Sequence, residues 1–288
     1  MAREVAYPLG QVRALGELAF AAQYAGDLDG AVRLARQAGQ ITAGVPGVMA
    51  RWCGYVLAGA LIQAGDPAAE SACAAALAQA RDTGDLHNQA ILLSRAVILD
   101  LKAGRLQEAA AHLREAIQLD TRTANWGELC NALDCCGLLC AATGRPADAV
   151  TVWAAHAALL RHQEAADWPE DMRRREGPLR RARQTLGSGR TEAAEQRGTA
   201  MNAATAAEYA LMLTDPGPPQ PAPGSGMLST RERELVRLVA RGRTDAQIAA
   251  ELYISIRTVR SHLDRIGDKT GSRRRVDLTR LALSTGLV

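Results

Sequence analysis

Residues 228–266 read LSTRERELVRLVARGRTDAQIAAELYISIRTVRSHLDRI, and the punctuation of this stretch decides the fold of the C-terminal end. Ser229 followed three residues later by Glu232 is a capping box, in which two backbone N–H groups at a helix start are satisfied reciprocally. Leu235, Leu238 and Val239 follow at helical spacing, and Gly242 can end that helix in left-handed geometry beside Arg241 and Arg243. Thr244 and Gln247 repeat the box, opening a second helix that carries Ile248, Ala249 and Leu252 inward and stops at a Tyr253–Ile254 turn. Ser255 caps a third helix. Its Val259, Leu263 and Ile266 face a core, while Arg257, Arg260, Ser261, Asp264 and Arg265 lie largely on other faces. A fourth helix is predicted over about Arg274 to Ser284, with Leu278, Leu281 and Ala282 as a packing and dimer face.

Two helices joined by a short turn, the second capped and polar on its outer side, can place that second helix in the major groove of DNA by its N-terminal half, where the helix dipole favours phosphate. Caps, turn, third and fourth helix stand in register over some sixty residues. Leu228 through Glu234, Gly242, Ile248-Ala249, Leu252, Ile254-Ser255, Thr258 through His262, Ile266, Lys269 and Arg275 resemble the LuxR-type (GerE-like) helix-turn-helix domain. The resemblance implies a transcription regulator with Arg260, Ser261 and Asp264 on bases and phosphates. Arg260 is the strongest candidate for a base, since Arg can pair bidentately with guanine O6 and N7; Arg257, Thr258, Arg265 and Lys269 suit phosphates. Thr244 and Ser255, at the two helix starts, complete the expected DNA-contacting set. His262 is expected to be packed and Val259 to belong to the core. Three positions depart from the family pattern: Asp264 stands where a basic or neutral residue is common, Ala246 where Lys or Arg often reaches a phosphate, and Thr270 where Leu usually closes the core.

The charge distribution agrees with that expectation. Residues 228–288 hold 13 Lys and Arg against 7 Asp and Glu, net +6, whereas residues 1–227 hold 21 against 24, net −3. A basic end on a mildly acidic body suits a polyanionic partner. With aromatics at only 3% and abundant Ala and Leu, the core must come from small, unbranched helix formers, so the chain reads as all-α.

Upstream, Gly26, Gly65, Gly104, Gly144 and Gly189 recur at 39, 39, 40 and 45 residues, each followed by Asp or Arg. Small residues stand five positions on at Ala31, Ala109, Ala149 and Ala194. Each unit reads as an antiparallel helix pair turning on a left-handed glycine, and stacked pairs bury a shared seam in a tetratricopeptide-like superhelix. Between this array (1–214) and the helix-turn-helix domain (228–288), residues 215–227 alternate Pro and Gly and read as an extended, semi-rigid linker.

Catalytic chemistry finds no foothold. Lys102 and Lys269 are the only lysines, and neither ends a phosphate-cradling G-x-x-x-x-G-K-[ST] loop. Repeats plus this tail thus resemble the C-terminal part of large MalT-like ATP-binding regulators without their ATPase module, as a natural short form or as a portion of a longer chain. Cys130, Cys135, Cys136 and Cys140 form no C-x-x-C pair and read as small core residues, so no catalytic residue, cofactor or metal is expected. The six Arg between Arg173 and Arg183 read as a solvated helix face. Met1 to Phe20 carries charges and no secretory core, and no stretch approaches the roughly 20 apolar residues a membrane helix needs, so a cytoplasmic location is expected. The expected partners are double-stranded DNA bearing an inverted repeat, a second copy of the chain, and an unnamed protein or small-molecule effector on the repeats. The competing expectation is an interaction scaffold whose DNA binding has weakened.

Overall fold

The computed structural model describes residues 8–42, 48–214, 228–272, 274–284 and 287. The fold is all-α, with fifteen helices and no strand among the described residues. Five consecutive pairs come first: α1 (Pro8–Ala25) with α2 (Leu28–Thr42), α3 (Val48–Ala64) with α4 (Ala69–Asp82), α5 (Leu86–Ala103) with α6 (Leu106–Arg122), α7 (Trp126–Ala142) with α8 (Pro146–His162), and α9 (Pro169–Leu186) with α10 (Ser188–Thr199). α11 (Ala203–Leu213) then packs across α6, α7 and α8. The C-terminal group is α12 (Thr230–Ala240), α13 (Asp245–Leu252), α14 (Ile256–Thr270) and α15 (Arg275–Ser284). The Pro- and Gly-rich linker expected over 215–227 lies outside the described residues.

Four of the five turn glycines adopt the left-handed backbone their period predicts, with φ of 84°, 67°, 74° and 70° at Gly26, Gly65, Gly104 and Gly144. The fifth assignment is corrected. Gly187 makes the α9–α10 turn at φ 73°, and Gly189 lies inside α10, because Gly187-Ser188-Gly189 offers two glycines and the helix begins on the serine between them. A second series of left-handed turns joins one pair to the next at Gly84, Ala124 and Glu164, spaced by 40 residues, with φ of 67°, 51° and 52°. Thr83 and Thr123 close the helix ends before two of these turns, and Thr143 the one before Gly144, by donating their hydroxyls to the carbonyls of Gln79, Leu119 and Leu139 at 2.9, 2.9 and 2.8 Å.

α1, α3, α5, α7 and α9 touch one another in succession, whereas α2, α4, α6 and α8 pack between them. The odd helices therefore form the shorter, inner arc of a curved stack. One continuous apolar cluster runs from Ala31 of α2 to Leu213 of α11. It is built largely of Ala, Leu and Cys, which lets helices approach closely. Cys130, Cys135, Cys136 and Cys140 are all buried in α7, and Cys135 Sγ donates to the Ser94 carbonyl of α5 at 3.4 Å. The crossing of α10 on α8 is close: a Cβ on Gly198 would stand 2.0 Å from the Thr151 carbonyl oxygen, so only glycine fits. The Arg173–Arg183 run is a solvated face only in part. Arg173 and Arg180 pair with neighbouring glutamates at the surface. Arg175 instead turns inward to Asp134 of α7 at 2.5 Å and to Asp167, anchoring α9 on the inner layer.

The C-terminal helices have a separate core, in which Leu235, Val236, Ile248, Val259, Ile266, Leu278 and Ala282 are at most 2% exposed. Leu278 and Ala282 of α15 are thus spent on packing within the chain rather than held free for a second copy.

Candidate nucleic-acid interface

The local rules that start each C-terminal helix are satisfied atom by atom. Ser229 N–H donates to Glu232 Oε2 at 2.7 Å and Glu232 N–H to Ser229 Oγ at 3.2 Å. Thr244 and Gln247 repeat the exchange at 2.9 and 3.3 Å. Ser255 Oγ accepts the Thr258 N–H at 3.1 Å, capping α14. The turn between α13 and α14 closes through Tyr253, a left-handed residue at φ 55° whose ring is almost fully exposed, with Ile254 N–H donating to the Ala249 carbonyl at 2.9 Å. That single left-handed residue keeps the turn short and sets α14 across α13.

The orientation of α14 is held by a buried carboxylate. Glu232 is fully buried, accepting Arg265 Nε at 2.8 Å and Lys269 Nζ at 2.9 Å in addition to its own cap. Burial opposes its ionisation, but the two cations and the backbone N–H outweigh that cost and hold its pKa down at about 2. His262, also fully buried, is pushed well below the ordinary histidine range by burial and by Arg265, Arg231 and Lys269. It is therefore neutral at pH 7. Its Nδ1 accepts from Arg265 Nη2 at 3.0 Å and its Nε2 sits 2.6 Å from Met212 Sδ of α11.

The nine residues expected at DNA fall into two groups. Thr244, Arg257, Arg260 and Asp264 are exposed on one side. Arg260, its side chain 72% exposed, reaches Asp245 at 3.3 Å, and Arg275 meets the same carboxylate at 2.5 Å, so the acid holds two guanidinium groups at the surface. The remaining five are buried or half-buried. Glu208 of α11 accepts the Thr258 hydroxyl at 2.8 Å and the Ser255 N–H at 3.4 Å. Ser261 is 8% exposed with its hydroxyl buried and unpaired. Arg265 adds Asp148 of α8 at 3.6 Å to its Glu232 pair, and Lys269 is held by Glu232. Asp148 in turn accepts the Tyr209 hydroxyl at 2.7 Å.

Glu208, Met212 and Asp148 escaped the sequence reading because they lie 50 or more residues from most of their partners on α14. One signal was available: Glu208 is the only charged residue of α11, AATAAEYALML, a helix otherwise suited to burial.

Residues 226–282 match the luxR family of bacterial regulatory proteins. The tail is a LuxR-family helix-turn-helix domain. Over 67 residues, 23% of this chain, it is 42% identical to a protein of Mycobacterium bovis named as an HTH-type transcriptional regulator, of which the match covers 8%. A response regulator of Synechocystis is 37% identical over 67 residues, 23% of this chain and 29% of that protein. The spore germination protein GerE of Bacillus subtilis is 42% identical over 45 residues, 16% of this chain and 61% of that protein. The chain thus spans less than a tenth of the length of the first curated relatives it matches. No solved structure matches the chain. Among the described residues, no helix is long and apolar enough to cross a membrane.

Proposed function

We propose that the protein is a cytoplasmic, sequence-specific DNA-binding regulator of transcription, acting as a homodimer on an inverted repeat, with the helical repeats as an effector- or partner-sensing module. The observation that carries this reading is the exposed N-terminal half of α14, where Arg257 and Arg260 project from a capped helix in a LuxR-family domain. Arg260 reads a guanine, Arg257 and Thr244 contact phosphate, and Asp264 lies beside them. Ser255 and Thr258 join the contact only when α11 leaves α14, and Arg265 and Lys269 only by exchanging Glu232 for phosphate, with Ser261 beside them. A dimer contact through α15 would use the exposed Val276 rather than Leu278.

Binding to promoter DNA tests the proposal. Arg260→Ala should cost about 1–3 kcal/mol and relax specificity at one base pair. Its loss leaves Asp245 to Arg275, and an exposed ion pair contributes under about 1 kcal/mol to stability, so the variant stays folded. Equal affinity of wild type and variant for every sequence would overturn the assignment. The scaffold reading is favoured by Glu208 occupying Thr258, and it gains if deleting residues 228–288 leaves the phenotype intact.

A further inference from the structure

On the inner side of the helical array, α5, α7, the first residue of α8 and α9 line an open cavity of about 460 Å³. This is the size class of small-molecule sites. Its floor is aliphatic, formed by Ile98, Leu101, Leu138, Pro146, Pro178 and Ala182, and no aromatic ring lines it. The charged side chains that line it are Lys102, Arg174 and Arg181, all cations, with no acid among them. Arg174 is neutralised by Asp171 at 2.7 Å. Lys102 donates only to a neutral group, the Ile62 carbonyl at 3.3 Å. Arg181 makes no ion pair with any described residue. An apolar floor overlooked by two cations without counter-ions is complementary to one kind of molecule.

We propose that this cavity binds an amphipathic organic anion, its aliphatic body on the α5–α7–α9 floor and its acid group toward Lys102 and Arg181. The inference rests on the reading of the repeats as a sensing module and supplies the class of effector. Position supports a regulatory role. Pro146 in the cavity wall directly follows Arg145, whose Nη1 donates to the Leu213 carbonyl at the end of α11. Two residues further on, Asp148 pairs with Arg265 of α14. A ligand that displaces the start of α8 therefore acts on the Arg145 contact that holds α11, the helix that carries Glu208 and Met212, and on the Asp148–Arg265 pair, one of the contacts between the repeats and the LuxR domain.

Calorimetric titration of the full chain with decanoate, decyl phosphate, decanol and decyltrimethylammonium, all below their micellar ranges, tests the site. The two anions should bind saturably and at least about tenfold tighter than the alcohol or the cation, and Lys102→Gln with Arg181→Gln should remove about tenfold of the anion affinity. Both replaced side chains sit at the surface, so an unchanged thermal midpoint will show that the variant is folded. No saturable binding of either anion, equal binding of decanol, or an unaffected double variant would overturn the site. Promoter binding measured with and without saturating decanoate separates the two ideas. A shift in DNA affinity that the double variant lacks supports both, whereas binding without a shift upholds the cavity and removes the sensing role.

Discussion

Glu208 offers the sharpest perturbation of the contact between repeats and LuxR domain. Its carboxylate accepts two hydrogen bonds from the start of α14, from the Thr258 hydroxyl at 2.8 Å and the Ser255 N–H at 3.4 Å. Hydrogen bonds to a charged acceptor are worth about 1.5–3 kcal/mol when well formed, but Glu208 is half-buried and the second bond is long, so the pair contributes about 1–2 kcal/mol to the docked state. On the proposed assignment of Thr258 and Ser255 to DNA, docking withholds both from it, and the apparent affinity of a protein scales with the fraction in the competent state. Glu208→Ala in the full chain should therefore raise promoter affinity by about 5- to 30-fold, the factor that 1–2 kcal/mol represents. Fluorescence anisotropy with labelled promoter DNA at fixed salt measures it. Met212→Ala, which removes the thioether beside His262, should act in the same direction. Unchanged or weaker DNA binding in both variants would refute a docked, partly occluded α14.

Two further outcomes follow from buried carboxylates. Glu232→Gln leaves Arg265 and Lys269 without their shared acid, although Arg265 keeps Asp148, and should lower stability by about 2–3 kcal/mol in denaturant unfolding. Because the folded pKa of Glu232 is depressed to about 2, its contribution is complete above the ordinary carboxylate range and fades as pH falls from about 4.5 toward 2; the gap between wild type and variant should close across that window. Asp120 carries the opposite sign. It is 1% exposed, both carboxylate oxygens lack a partner, and burial together with Glu128 raises its pKa to about 7. A raised acid loses stability as pH climbs from its unfolded value through the folded one, so Asp120→Asn should raise the thermal midpoint more at pH 8 than at pH 5. An equal gain at both values would contradict the assignment.

Much of the molecule was legible because its signals are local. Capping boxes at Ser229 and Thr244 and left-handed glycines at Gly26, Gly65, Gly104 and Gly144 each act within a few residues, and each does what its neighbours require. The turns between pairs were hidden because Ala124 and Glu164 occupy left-handed positions that a search for glycine passes over. Gly187 was missed in favour of Gly189 for a related reason, since two glycines flank the helix start and only the backbone decides between them. The surroundings of α14 were the least legible part. Periodicity placed Val259 and Ile266 in the core and left Arg265 outside, but Arg265 finds acids on two other helices, Glu232 and Asp148, that no spacing rule connects to it. Charge runs mislead in the same way, as Arg173 and Arg175 show, two residues apart and facing solvent and α7 respectively.

Selection of bound duplexes from a random pool by the full chain is the most direct test of the central claim. A two-fold regulator reading bases through α14 should enrich an inverted repeat whose half-sites contain a guanine, with the Arg260→Ala variant losing enrichment at that one position in each half. Recovery of a pool without sequence preference, at an affinity that simply falls with salt, would contradict it.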